Sequence, residues 1–93
     1  MAKYKNVVGP QVRRIRCRLK LRQRDLAARL EVAGWQIDRA GVSKIESRFV
    51  RVSDYRQFYL AHALGVGVLD LLPTIDPKQP IDLAVGSLMA RRR

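Results

Sequence analysis

The sequence is nearly empty of the residues from which small proteins build covalent or metal staples. It has one cysteine, Cys17, and one histidine, His62. An intrachain disulfide framework and a zinc site of Cys/His type are therefore excluded by count. A thiol so sparsely used fits a reducing compartment, and a cytoplasmic protein is expected. Long apolar runs are missing too: MAKYKNVVGP is basic but holds no stretch of signal-peptide length, and no segment approaches a bilayer span, so no membrane partner is expected. Paired carboxylates, a nucleophile beside a base and a phosphate-cradling glycine loop are all wanting. Neither an enzyme nor a cofactor is expected. No segment alternates apolar and polar residues long enough to argue a strand.

Acids are scarce, with 8 Asp/Glu against 19 Lys/Arg and a net charge of +11 over 93 residues. Residues 1–30 carry ten Lys/Arg and one acid, residues 31–72 five of each, and residues 73–93 four against two. The excess belongs to the amino-terminal third. A field of that size on one small domain favours a polyanionic partner.

Helical spacing dominates what is present. Val8, Val12, Ile15 and Leu19 form one apolar stripe, with Pro10 suited to a first turn and Cys17 expected as an inert packed thiol. QRDLAARLEVAG supplies a second, through Leu26, Ala27 and Leu30, with Gly34 to stop it. The third, RAGVSKIE, has Asp38 as its N-cap, Val42 and Ile45 turned inward, and a small, basic outer face. Ser53 caps a fourth, DYRQFYLAHAL, which Gly65 ends. Phe58 and Leu60 are expected in its core and His62 on its surface. A short fifth, VLDLL, stops at Pro73. PTIDPKQP then reads as a linker, and IDLAVGSLMARRR has apolar residues spaced for two or three further helical turns. The expected organisation is a flexible basic arm over 1–7, a helical domain over 8–73, and a linker with a short carboxy-terminal helix over 74–93.

Short helices on a basic body, with the second and third close together, suggest a helix-turn-helix. LRQRDLAARL, VSKIESR and VSDYRQFYLAHALGVGVLDLL, in that order, resemble the phage-repressor (Cro/repressor, or XRE) class of helix-turn-helix regulators over about residues 8–72. The resemblance implies an all-α, five-helix bundle of the lambda-repressor-like DNA-binding type, to which the apolar spacing after the linker adds an extension able to form a short sixth helix. It implies that Gln23 donates to a backbone phosphate, that Arg39, Ala40 and Lys44 face base edges, and that Ser43 faces phosphate. Arg16 and Glu46 stand where the family has an inward ion pair joining the first and third helices. Arg48 and Arg51 are expected as phosphate clamps, and Lys3 and Lys5 as arm residues that track the backbone. A groove about 12 Å wide accepts a helix whose facing side chains are small or hydrogen-bonding, and Gly41 fits that demand.

The residues leave alternatives open. Arg39 could equally grip phosphate, Glu46 could face solvent, and an ordinary solvated helix is the plain reading of RAGVSKIE. The chain also departs from the family pattern. Arg22 stands where a capping serine is usual, and EVAGWQI lengthens the second turn by about five residues, so the second helix is expected to run an extra turn with Trp35 as a packing anchor. Phe49 and Val50 replace the usual small or cationic loop residues. The function expected is a sequence-specific, double-stranded-DNA-binding repressor acting as a homodimer on a palindromic operator. Two alternatives remain: an antitoxin-like adaptor that grips a protein partner through residues 74–93, and a non-specific basic nucleic-acid-binding protein.

Overall fold

The computed structural model describes residues 4–73. Lys3, and the linker and helix expected over 74–93, lie outside the described residues. The described chain is all-helical: α1 (Gly9–Arg18), α2 (Gln23–Ala33), α3 (Arg39–Glu46), α4 (Asp54–Leu64) and a closing 3₁₀ turn, Val68–Leu71. The fifth helix expected at VLDLL is that single turn. Gly67 and Pro73 bracket too few residues to repay an α-helical nucleus. The turn closes instead with Asp70 N–H donating to the Gly67 carbonyl at 3.0 Å.

Helices of 8 to 11 residues do not persist alone in water. Packing holds them. Leu26, Leu30, Ile45, Leu60 and Leu71 are fully buried, and each contributes about 1.5–3 kcal/mol relative to an exposed side chain, more than any helix propensity in the chain. Val8 at the N-cap of α1, Val12 and Ile15 within it, and Val42 of α3 join them in the core. Leu19, expected in the α1 stripe, is 45% exposed because it lies at the C-cap. Leu21 packs against the core in its place. Cys17 is exposed rather than packed, since it falls outside the strip that Val8 begins at the N-cap and Val12 and Ile15 continue along α1. Phe58 is likewise 65% exposed while Leu60 is buried. The inward strip of α4 runs through Leu60, Ala61 and Leu64 and leaves Phe58 on the outer flank.

Helix starts follow the sequence. Asp38 accepts from Gly41 N–H at 2.8 Å and Ser53 Oγ from Arg56 N–H at 3.2 Å. Arg22 offers α2 no capping oxygen, and Asp25 compensates by accepting from the Arg22 N–H at 2.8 Å and its Nε at 3.1 Å. The α-helices all end alike, in a left-handed residue whose N–H and successor close the last turn through paired backbone bonds. Gly34 and Gly65 occupy that position after α2 and α4, but Lys20 (φ 62°) and Arg48 (φ 65°) occupy it after α1 and α3.

The lengthened connection now has a shape. α2 continues past Leu30 to Ala33, Gly34 reverses the chain at φ 112°, and the rest runs to Asp38 without regular structure. Trp35 is half-buried against the core, its ring 6.2 Å from that of Tyr59, with the Arg56 guanidinium 4.9 Å above it. Ile37 also packs on the core. That explains Gly41 better than groove approach does: a Cβ there would come within 2.5 Å of Ile37 Cγ1.

Candidate nucleic-acid interface

Eight residues of α3 divide cleanly. Val42, Ile45 and Glu46 are buried, while Arg39, Ala40 and Lys44 are exposed and Ser43 is half-exposed. The four outward positions are i, i+1, i+4 and i+5, one stripe of the helix surface. The expected readers therefore share one face. Arg51 is exposed beyond the end of α3, and Arg48 is half-buried.

Beneath that face lies the ion pair. Arg16 donates from Nε to Glu46 Oε2 at 2.6 Å and from NH2 to Oε1 at 3.0 Å. Its remaining nitrogen, NH1, donates to the Leu21 carbonyl at 2.8 Å. A bidentate fork this well buried ties the last turn of α1 to the last residue of α3. Hydrogen bonding to Glu46 raises the Arg16 pKa, outweighing the opposing effect of burial, so the guanidinium stays charged. Breaking such a pair from one side strands a buried charge, at a cost of about 3–5 kcal/mol.

Gln23 has partners within the protein. Its amide nitrogen donates to Glu46 Oε1 at 3.0 Å, and its carbonyl accepts from Arg39 NH1 at 3.2 Å. The buried carboxylate has lone pairs beyond those the arginine fork fills, and Gln23 supplies a further donor. One amide N–H is left for a phosphate. Arg39 is thus held between the two helices it would bridge, its guanidinium steered by the start of α2. Leu21, Arg16, Glu46, Gln23 and Arg39 form one continuous hydrogen-bonded path from the end of α1 to the outward face of α3.

The amino-terminal arm is tethered over its described part. Lys5 N–H donates to the Arg48 carbonyl at 3.0 Å. Asn6 donates to the carbonyls of Val50 and Ile45 at 2.8 and 3.2 Å and accepts from Gly9 N–H at 2.9 Å. One amide thus serves three backbone groups at the end of α3 and the start of α1, sharing the Ile45 carbonyl with Arg48 N–H. The flexible arm expected over 1–7 is fixed from Tyr4 onward, and Lys5 starts from an anchored backbone.

Three residues of this region carry little or no signal in the sequence. Arg13 and Arg14 stand exposed on α1 beside the end of α3, and their one signal was the adjacent pair in VRRIRCR. Asn6 gave no signal, because its partners are backbone atoms some forty residues away.

On another side, Tyr55, Phe58, Tyr59, His62 and Ala33 line an apolar groove. Among the described residues no helix is long and apolar enough to cross a membrane, and no cluster of His, Cys, Asp or Glu could hold a metal ion. No protein-family model, curated protein or solved structure matches the chain.

Proposed function

We propose that this protein is a sequence-specific DNA-binding regulator of the phage-repressor type, which inserts α3 into the major groove and represses by occupying its operator. The observation that carries the reading is the single outward stripe of Arg39, Ala40, Ser43 and Lys44 on a helix clamped from behind by Arg16 and Glu46. Arg or Lys reads guanine through O6 and N7, and a methyl such as that of Ala40 meets thymine. Arg48, Arg51 and the free amide N–H of Gln23 supply phosphate contacts that set position without reading sequence. Two copies bind half-sites about one helical turn apart. The exposed rings of Tyr55 and Phe58 offer apolar surface from which a second copy can be held.

Selecting duplexes from a random pool tests this directly. A palindrome with half-sites about 10 base pairs apart is expected. Lys44→Ala should relax preference at one position of each half-site, costing about 1–3 kcal/mol there, whereas Arg51→Ala should weaken all duplexes alike. Equal affinity for random and selected duplexes, with the same steep salt dependence, would defeat the reading in favour of a non-specific binder. A reading in which the protein grips another protein draws on the same apolar groove, and a partner that co-purifies after Phe58 is left intact but is lost with Phe58→Glu would favour it.

A further inference from the structure

We infer that the cleft between α1 and the carboxyl end of α3 is a phosphate-ester site, which in the DNA-bound protein takes a backbone phosphodiester outside the groove that α3 enters. The inference rests on the DNA-binding reading and extends its footprint to a helix that reading leaves aside. The cleft encloses about 610 Å³, with Arg13, Arg14 and Cys17 on the α1 wall and Glu46, Ser47 and Arg48 on the other.

Its walls are fixed in place. Gly9 has no Cβ because one would sit on the carbonyl oxygens of Ile45 and Glu46, so the α1 backbone lies directly against the end of α3. Asn6 bridges the same junction. Arg48 is held in the left-handed region, its guanidinium 4.0 Å above the Tyr4 ring. A concave site with two firm walls loses less entropy on gripping a ligand than a set of free surface cations does.

The charge is lopsided. Three guanidiniums face one carboxylate, and that carboxylate is consumed by Arg16 and Gln23. Neither Arg13 nor Arg14 forms an ion pair among the described residues. The negative end of α3 amounts to about half a charge, spread over carbonyls that the closing turn and Asn6 already use, so it does not offset three cations. Guanidinium forks match phosphate oxygens in pairs, and the Ser47 hydroxyl adds a neutral donor. Tyr4 and Pro10 complete the lining, and a cationic ligand meets no carboxylate that is not already engaged.

Cys17, the only thiol in the chain, stands in the α1 wall and reports occupancy. Alkylation of Cys17 by iodoacetamide should slow several-fold when the wild-type protein is saturated with its selected duplex. The double variant Arg13→Gln, Arg14→Gln alters two exposed positions, so its thermal unfolding should match wild type. It should lower the slope of log affinity against log salt by about one to two, with base preference unchanged. If the slope stays at the wild-type value and duplex leaves Cys17 alkylation unchanged, the cleft proposal fails while the DNA-binding reading stands. If the wild-type protein binds no duplex, that reading fails. The cleft then stands only if inorganic pyrophosphate slows Cys17 alkylation in wild type and not in the double variant, and equal rates would end both.

Discussion

Two pairs of helices in this bundle are joined by opposite means. The carboxyl end of α3 is tied to α1 through the buried fork of Arg16 and Glu46, and each helix then turns out through a left-handed cation, Lys20 or Arg48. α2 and α4 end in left-handed glycines, and what joins them is mostly apolar: Trp35 against Tyr59, with Arg29 donating to the Ala63 carbonyl at 3.0 Å. The backbone motif at the helix ends is the same. A residue other than glycine costs about 1–2 kcal/mol in that conformation, so two cations sit where glycine would be the more stable choice. Both follow the helices whose junction bears the proposed interface. The protein thus carries local strain on its basic side and keeps its aromatic side relaxed, a division that fits charge being needed there for something other than folding.

The largest expected effect tests the junctions themselves. Glu46→Ala leaves Arg16 buried without a partner and Gln23 without its acceptor, and should lower unfolding stability by about 3–5 kcal/mol in a denaturant titration. Trp35→Ala, at a half-buried ring on the opposite side, should cost about half as much. Equal losses would mean that the two junctions are energetically alike and that the contrast is only chemical in appearance.

How far this division could be read in the sequence depends on the distance over which each cause acts. The starts at Asp38 and Ser53, the inward Val42 and Ile45, and the outward Arg39, Ala40 and Lys44 all follow from helical period and capping within one turn, and the structure places them so. The Arg16–Glu46 pair needed the family resemblance to suggest it, and forms as expected. Phe58 and Cys17 are exposed against expectation because each lies at the edge of its apolar strip, where the neighbouring helix and not the period decides burial. Gly41 answers to Ile37, which the inserted connection brings in. Gln23 answers to the spare lone pairs of a buried carboxylate. Arg48 could not be recognised as a left-handed residue, since nothing in SRFVRVS marks one. The 3₁₀ turn differs from a helix only by how few residues its flanks leave.

Exchanging the two kinds of helix end gives a smaller and opposite pair of effects. Arg48→Gly relieves the backbone and should raise thermal stability by up to about 1 kcal/mol, less whatever the Tyr4 contact contributes, while weakening duplex binding at every sequence alike. Gly65→Ala introduces a Cβ into open space, so its cost of about 1 kcal/mol is conformational alone, and DNA affinity should not change. Should Arg48→Gly bind duplex as tightly as wild type, the strain at that end would have no bearing on the interface.

The smallest effect concerns the start of α2, where a cation again occupies a position that usually favours an oxygen. Hydrogen bonds from the Arg22 side chain, and then from its backbone N–H, hold the Asp25 carboxyl below the usual carboxylate pKa. A carboxyl depressed in the fold adds stability that is complete above its unfolded pKa, near 3.9, and disappears as pH falls through the lower folded value. Asp25→Asn should therefore be slightly less stable than wild type at neutral pH, and the two melting temperatures should converge as the solution is taken below pH 4. The pair is exposed and its contribution is screened by salt, so the gap should also narrow at high ionic strength. A gap that persisted unchanged at pH 2 would mean that Asp25 supports α2 through an uncharged hydrogen bond lost in the amide. The cation at Arg22 would then be incidental to how that helix begins.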